Sequence, residues 1–433
     1  MRDPQRGGTA PPCPTHHGPL VAVQEVLHDA GWVLGTGLVA IPVAGMLRVP
    51  PMIMMVAGGL AVGPSGLDFV HQPLGGLGSR LVFTFGVALI LFHGGLGVSL
   101  RVISRTAVGL AMLVLPGVLL TAGIVAAVAA PVFGVPLSVA LLVGMVMAPT
   151  DPAILIPLFE RMRLRRRVSQ TIIAESAFND PTASVLAVAV AGTLATDGGV
   201  HFSATVWEVL RDLGLGLGLG VTAGLVLAAM LSSNRWGVWS DSPVAAVLAL
   251  VIAGYATTNH VGGSAYLAAF IMGLVVGNMR LFGFTHGDEE EKKLEFTAGQ
   301  LSELATLCVF VLLGINLPLD SLRHHLWGGL LVVAVFMFVA RPLVVWLCLS
   351  VDRRARWTRP EKLFLSWSRE TGAVSAALAA LFLADGVRGA DLAVGVVSLA
   401  ILATLLLQAT TAGWVAGRLG LVEPDPAPER AGG

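Results

Sequence analysis

Charge is scarce in this sequence. Only 12% of the 433 residues are Asp, Glu, Lys or Arg, and 27 basic residues balance 27 acidic ones. A chain with no net charge offers no basic surface for a phosphate backbone, so nucleic acid is set aside as a partner. Cysteine is scarcer still. Cys13, Cys308 and Cys348 are scattered, the latter two within apolar segments, which is neither a disulfide framework nor metal-ligand spacing. The pattern Gly-x-x-x-x-Gly-Lys-Ser/Thr does not occur, so direct drive by ATP has no support. Hydrocarbon takes the place of charge: 55% of residues are hydrophobic and the mean hydropathy is +0.80. Apolar runs of about 18 residues or more recur along the chain, each able to cross a bilayer core of roughly 30 Å. A soluble globular domain is excluded. So is a β-barrel, because the runs are continuous rather than alternating.

The runs predict thirteen spans, at about 31–48, 50–64, 81–99, 107–130, 136–157, 172–194, 208–231, 242–258, 264–280, 300–317, 326–350, 362–384 and 391–419. Residues 1–28 read as a polar, Pro/Gly-rich tail, with Arg2 and Arg6 too far from the first apolar run for an ordinary secretory signal. Residues 421–433 read as a short tail with no cytosolic domain after it. "ERMRLRRRVSQ" (160–170) carries five Arg, and "DRRARWTRPEK" (352–362) carries four Arg and one Lys. Both belong on the cytoplasmic side. Parity then places the N-terminus outside and the C-terminus in the cytoplasm of a multi-pass cell (inner) membrane protein. It also runs spans five and twelve in opposite directions. Both are interrupted by polar residues, "APTDPA" (148–153) in one and "SRETGAVSA" (368–376) in the other. Interrupted helices at corresponding places of two inverted halves point to a transporter site.

Asp151, Glu175, Asp180, Arg369 and Glu370 fall at or near membrane depth. An Asp or Arg at the centre of a membrane helix costs roughly 2.5–3.5 kcal/mol on an insertion scale. One Arg cannot neutralise four acids, so at least one carboxylate is expected to handle an ion or a proton. Span six contains "AESAFNDP" (174–181). At 100° per residue, Ser176 and Asp180 lie about 40° apart on one face, and Glu175 with Asn179 on another. Glu175 and Asp180 are about 140° apart, so two jobs are expected. Asp180 with Ser176 offers oxygens to a small hard cation, while Glu175 meets a counter-charge such as Arg369. Pro149 and Pro152 bracket Thr150 and Asp151, which predicts an unwound stretch with free carbonyls. Carbonyls, the Thr150 oxygen and carboxylates suit Na+ or K+, and the absence of imidazole and thiolate argues against a transition metal.

"TDPA" followed by "ESAFND", together with "LILFHGGLGVSL" (89–100) and "GGSAYLAAFIMGLVVGN" (262–278), resembles the monovalent cation/proton antiporter superfamily, in its sodium/proton exchanger (NhaP-like and NHE-like) branch. The likeness spans about residues 30–420. It implies an all-α polytopic membrane protein of about thirteen transmembrane helices with inverted repeats and two crossed discontinuous helices, the NhaA/NapA-like antiporter fold. It implies a homodimer, with a dimerisation part mainly at 31–99 and 242–317, an ion-binding core mainly at 107–194 and 326–419, and a linking helix at 208–231. Elevator-like alternating access is implied too. By motif match, Asp180 binds cation and proton with Asp151 beside it, and Ser176 and the Thr150 main chain are ligands. Glu175 and Asn179 hold the core, with Glu175 paired to an Arg of span twelve. The Asn-Asp form implies electroneutral exchange of one cation for one proton.

Two departures stand out. His93 replaces a frequent acid before "GGL", leaving a pH-sensing role or simple helix packing open. Arg369 lies three residues before Gly372, and Glu370 is added, so Arg369 has Glu175 and Glu370 as alternative partners. The expected function is secondary antiport of Na+ or K+ against protons, by competition for Asp180 and with no cofactor and no enzymatic step. A cation channel, or an intramembrane aspartyl protease using Asp151 and Asp180, are the alternatives. "GLGLGLG" (214–220) reads as close helix packing rather than a nucleotide loop. "DEEEKKLE" (288–295) reads as a solvated loop, and the pairs His16-His17 and His324-His325 read as solvated.

Overall fold

The computed structural model describes residues 19–47, 49–70, 76–100, 107–151, 159, 162–195, 202–232, 239, 243–285 and 287–423. Among them the chain is helical, with one isolated antiparallel bridge between Leu164 and Val422. In chain order the helices are α1 (Pro19–Leu47), α2 (Pro51–Val62), α3 (Leu77–Leu96), α4 (Ala107–Val114), α5 (Pro116–Phe133), α6 (Leu137–Met147), α7 (Arg166–Ala195), α8 (Phe202–Leu231) and α9 (Pro243–His260). There follow α10 (Ala265–Gly277), α11 (Asp288–Ile315), α12 (Leu319–Val335), α13 (Arg341–Val351), α14 (Arg359–Trp367), α15 (Ala373–Ala384), α16 (Ala390–Ala403) and α17 (Thr410–Arg418). A π-helical turn, Phe336–Ala340, joins α12 to α13, and another, Thr404–Ala409, joins α16 to α17.

Eight helical stretches among the described residues are long and apolar enough to cross a membrane. Pro51–Val62, Leu137–Met147, Ala265–Gly277 and Ala373–Ala384 are apolar but shorter. Two of these, α6 and α15, are halves of interrupted spans. The 30-residue α7 has the length but is too polar to qualify. Each of the thirteen expected spans overlaps helix, the fifth only over Leu137–Met147 and the twelfth with a break at 368–372.

Several boundaries differ from the sequence reading. α1 begins at Pro19, inside the stretch expected as tail. The fourth span breaks at Leu115, because Pro116 starts a new helix. The acidic stretch 288–295 is not a loop but the opening turns of α11. The Gly287 N–H donates to Glu290 Oε2 at 2.6 Å, a reach-back cap that starts the helix there. Arg280 meets Glu291 at 2.7 Å beside it. His325 packs edge-on against Phe133, whereas His16 and His17 lie outside the described residues. Leu421, also read as tail, is buried, and its carbonyl accepts from the Arg165 N–H at 2.9 Å. The stretch after α17 is thereby pinned to the basic loop before α7.

Helices α1, α2, α3, α8, α9, α10 and α11 pack mainly on one another, as do α4–α7 and α12–α17. The two sets meet where α15 lies against α3 and α11, and α7 against α10. Phe178 of α7 stacks edge-on with Phe270 of α10 at that seam. α3 and α10 touch backbone to backbone: a Cβ on Gly273 would sit 2.0 Å from the Phe92 carbonyl oxygen. Gly273→Val is expected to push the two helices apart and destabilise the protein by about 1–3 kcal/mol, the usual cost of overpacking. A thermal unfolding midpoint unchanged in detergent would contradict that. In "GLGLGLG", Gly216 and Gly220 press on Ser264 and Ala268 of α10 and leave no room for a Cβ, while Gly214 and Gly218 have nothing within 4 Å. Glycine at alternate positions thus serves one packing face, repeated every four residues.

Candidate ion-binding site

The two interrupted spans cross. After α6 the chain is non-helical from Ala148 to Asp151, and after α14 it is non-helical from Ser368 to Gly372. The Asp151 N–H donates to the Glu370 carbonyl at 2.9 Å, tying one non-helical segment to the other. Pro149 has no N–H to continue α6, which accounts for the unwinding. Pro152 lies outside the described residues. α14 starts with a capping box, Thr358 with Glu361, and runs only nine residues before the break.

Two of the broken helix ends meet a complementary charge. Arg369 donates to the Ala148 carbonyl at the C-terminal end of α6, where a cation is favoured. Asp151 Oδ2 accepts from the Ala373 N–H at 3.2 Å, at the N-terminal end of α15, where an anion is favoured. The fit at this crossing is close: a Cβ on Gly372 would lie 2.0 Å from the Asp151 Cβ. Gly372→Ala is expected to displace Asp151 and cut transport on the order of a hundredfold, the scale set by an ångström of misplacement at a reacting centre. Normal exchange by that variant in proteoliposomes would rule out the tight crossing.

α7 runs unbroken past the crossing. Its Ser176 hydroxyl donates to the Thr150 carbonyl, and its Asp180 Oδ1 accepts from the Thr150 N–H at 3.2 Å. Ser176 and Asp180 therefore hold the C=O and the N–H of one residue, Thr150, in the unwound segment. Asp180 is 8% exposed. Its own carbonyl accepts from Ser184 Oγ at 2.7 Å, a local bond beside Pro181, which interrupts the helical ladder but leaves the helix continuous.

Glu175 and Asn179 face the other way. Asn179 Nδ2 donates to Glu175 Oε1 at 3.4 Å. The counter-charge of Glu175 is not Arg369, one of the two pairings the sequence left open, but Arg341. The pair is bidentate, with Nη2 to Oε2 at 2.9 Å and Nη1 to Oε1, and its partners are only 1% and 2% exposed. Arg341 Nε also donates to the Leu365 carbonyl at 3.0 Å, in the last turn of α14. Arg341 follows directly on the π-turn Phe336–Ala340, whose extra residue rotates the guanidinium onto α7 and α14. The sequence held a signal for it: a lone Arg in the apolar span 326–350, where an ionisable group is a functional candidate by default. Arg369 lies instead over the Phe336 ring, 4.8 Å from its centroid. Of the two guanidinium groups only Arg341 is ion-paired, while three acids, Glu175, Asp180 and Glu370, are buried and Asp151 is half-buried.

A cavity of about 10 Å³, with room for one water-sized particle, lies between these groups. It is lined by Thr150, Asp151, Ser176, Ser368, Arg369 and Glu370, with Ile172 and the Glu175–Arg341 pair. Asp180 sits behind the Thr150 peptide rather than in the wall. Roomier hollows, about 410 Å³ at the α3–α10–α11 end and about 920 Å³ between α1 and α2, are lined by other residues. His93 belongs with neither the crossing nor its hydrogen bonds. It faces α11, where a Cβ on Gly299 would lie 3.6 Å from its Nε2. The groups at the crossing hold oxygen ligands in quantity. Among the described residues no set of three or more His, Cys, Asp or Glu is placed to chelate a metal ion.

Residues 33–417 match the family model described as "Sodium/hydrogen exchanger, transmembrane". The chain is 31% identical over 399 residues to the K(+)/H(+) antiporter NhaP2 of Shewanella sp. (strain ANA-3), covering 89% of this chain and 65% of that protein. It thus spans just under two thirds of the length of that relative. It is 29% identical over 374 residues to Na(+)/H(+) antiporter 1 of Methanocaldococcus jannaschii, covering 83% of this chain and 84% of the relative. Its fold is similar to the structure of the sodium proton antiporter MjNhaP1 from that organism at pH 8, with a TM-score of 0.78 at 24% identity over 92% of this chain and 99% of that one. The match to the family model runs through both interrupted spans and the helix that clamps them, and the chain belongs to the sodium/hydrogen exchanger family.

Proposed function

We propose that the chain is a secondary antiporter that exchanges Na+ or K+ for protons, with cation and proton competing for Asp180. The observation that carries this is the Asp180–Thr150 contact: a buried carboxylate fixed on an unwound strand where two helix ends oppose each other. Among the described residues Asp180 accepts a single side-chain hydrogen bond there, and its remaining lone pairs are available to a proton or a cation. Asp151, Ser176 and Thr150 supply further oxygens, and the Glu175–Arg341 pair with Asn179 holds α7 against α13 and α14. Competition for one group couples the two fluxes, because the carrier crosses only when that group is occupied. The printed names of the relatives include both K+/H+ and Na+/H+ antiporters. The protease reading fares worse, since Asp151 lines the small cavity and Asp180 does not. A channel would need a continuous pore.

The same reading assigns helices within 31–99 and 242–317 to a dimerisation part and those within 107–194 and 326–419 to a moving core, joined by α8. The arginine distribution supports an N-terminus outside and a cytoplasmic C-terminus. The test is the pH gradient across proteoliposomes containing the full chain. Added Na+ or K+, but not choline, should dissipate it in a saturable way. The rate should not depend on membrane potential if one cation exchanges for one proton, and a steep voltage dependence would refute the one-for-one scheme.

A further inference from the structure

We propose that Glu370 is a direct ligand of the transported cation, completing with Asp151, Thr150 and Ser368 an oxygen site in the small cavity at the crossing. The ligand's identity rests on the antiport reading above; the site rests on geometry.

Glu370 is 2% exposed, and neither of its carboxylate oxygens has a hydrogen-bond partner among the described residues. Neither nearby guanidinium is hydrogen-bonded to Glu370, although Arg369 Nε in the same wall is itself without a partner. Arg341 is held by Glu175 and the Leu365 carbonyl, and Arg369 reaches the Ala148 carbonyl and the Phe336 ring. Glu370 is therefore not the acid half of an ion pair. Two other oxygens of the same cavity wall, Thr150 Oγ1 and Ser368 Oγ, are also buried without partners. Buried polar atoms are almost always satisfied, and a group of orphans around one small space marks the place of an ion or an ordered water. The orphans of this wall are four oxygens, from one carboxylate and two hydroxyls, and one donor, Arg369 Nε, with Asp151 beside them. The oxygens are a ligand set for a hard monovalent cation rather than for zinc or copper. The room, one water-sized particle, suits a dehydrated alkali ion.

The position explains why the site would be mobile with the core. Glu370 belongs to the non-helical segment after α14, and its carbonyl accepts the Asp151 N–H. Both interrupted spans thus contribute a carboxylate to one cavity; Asp180 of α7 lies across Thr150 from it, so a cation in the cavity competes with the Asp180 proton through charge rather than by contact. A second carboxylate also raises the field at the cation, which favours the smaller ion over the larger.

The experiment uses the purified full chain. Thermal unfolding is measured in NaCl, KCl, LiCl or choline chloride, because a bound cation raises the midpoint. Apparent KM for each cation is measured by pH-gradient dissipation in proteoliposomes. Glu370→Gln is expected to raise the KM for Na+ roughly ten- to a hundredfold, the usual cost of disturbing a metal's surroundings. It should also lose the Na+-dependent gain in midpoint and shift the cation ranking toward K+. An unchanged KM and ranking would overturn the proposal. Should Glu370→Gln fail to purify as a folded protein, Glu370→Asp decides: a raised KM for Na+ supports the assignment and an unaltered one overturns it. A wild type that is stabilised by Na+ through Glu370 yet exchanges no protons supports the site while sinking the antiport reading. A wild type that does neither overturns both.

Discussion

Proteoliposomes carrying Asp180→Asn are expected to show no cation-driven collapse of a pH gradient, a loss of roughly a hundredfold or more, as when a positioned proton-transfer group is removed. The substitution is chosen for what it preserves. An Asn amide oxygen can still accept the Thr150 N–H, so the clamp on the unwound strand survives. What is lost is the charge and the proton site. A folded protein that exchanges nothing would separate the carrier role of Asp180 from a structural one. Proton exchange at the wild-type rate would eliminate the competition mechanism. Ser176→Ala should do less. It removes one hydrogen bond to the Thr150 carbonyl and one candidate oxygen, and leaves the carboxylate in place.

The second large effect concerns the Glu175–Arg341 pair. Removing one partner leaves the other charged and buried, so Arg341→Met alone is expected to destabilise the protein by about 3–5 kcal/mol, and Glu175→Gln nearly as much. The double variant should recover most of the loss, because no charge is then stranded. Thermal unfolding of the two single variants and the double closes the cycle. The same cycle with Arg369→Met in place of Arg341→Met should show little coupling to Glu175, since Arg369 is spent on the end of α6. Coupling of Glu175 to Arg369 rather than Arg341 would refute the pairing seen in the structure.

How much of this was legible beforehand can be argued from particular residues. Periodicity alone separated the two faces of α7. Ser176 and Asp180 do lie together on the Thr150 peptide, and Glu175 and Asn179 do lie together away from it. That success follows from a rigid 100° step, which needs no knowledge of neighbours. The unwinding after Met147 was legible for a similar reason, since Pro149 denies the helix a donor wherever the helix sits. The partner of Glu175 was not legible by that route. Arg341 and Glu175 are separated by 166 positions, and no local rule chooses between two arginines on different helices. A π-turn turned one of them toward α7, and the demand of an open helix end claimed the other.

The sequence by itself determined the membrane class, the placing of its helices, the interruptions at the two crossing spans and the facing of α7, because hydropathy, proline and helical period act within a few residues. Tertiary structure alone decided which arginine neutralises which acid, that Asp151 caps α15 and Arg369 caps α6, and that Glu370 is left with unpartnered oxygens beside Thr150 and Ser368. Those outcomes depend on which buried groups can reach one another once the helices have crossed, and only the crossing sets those distances.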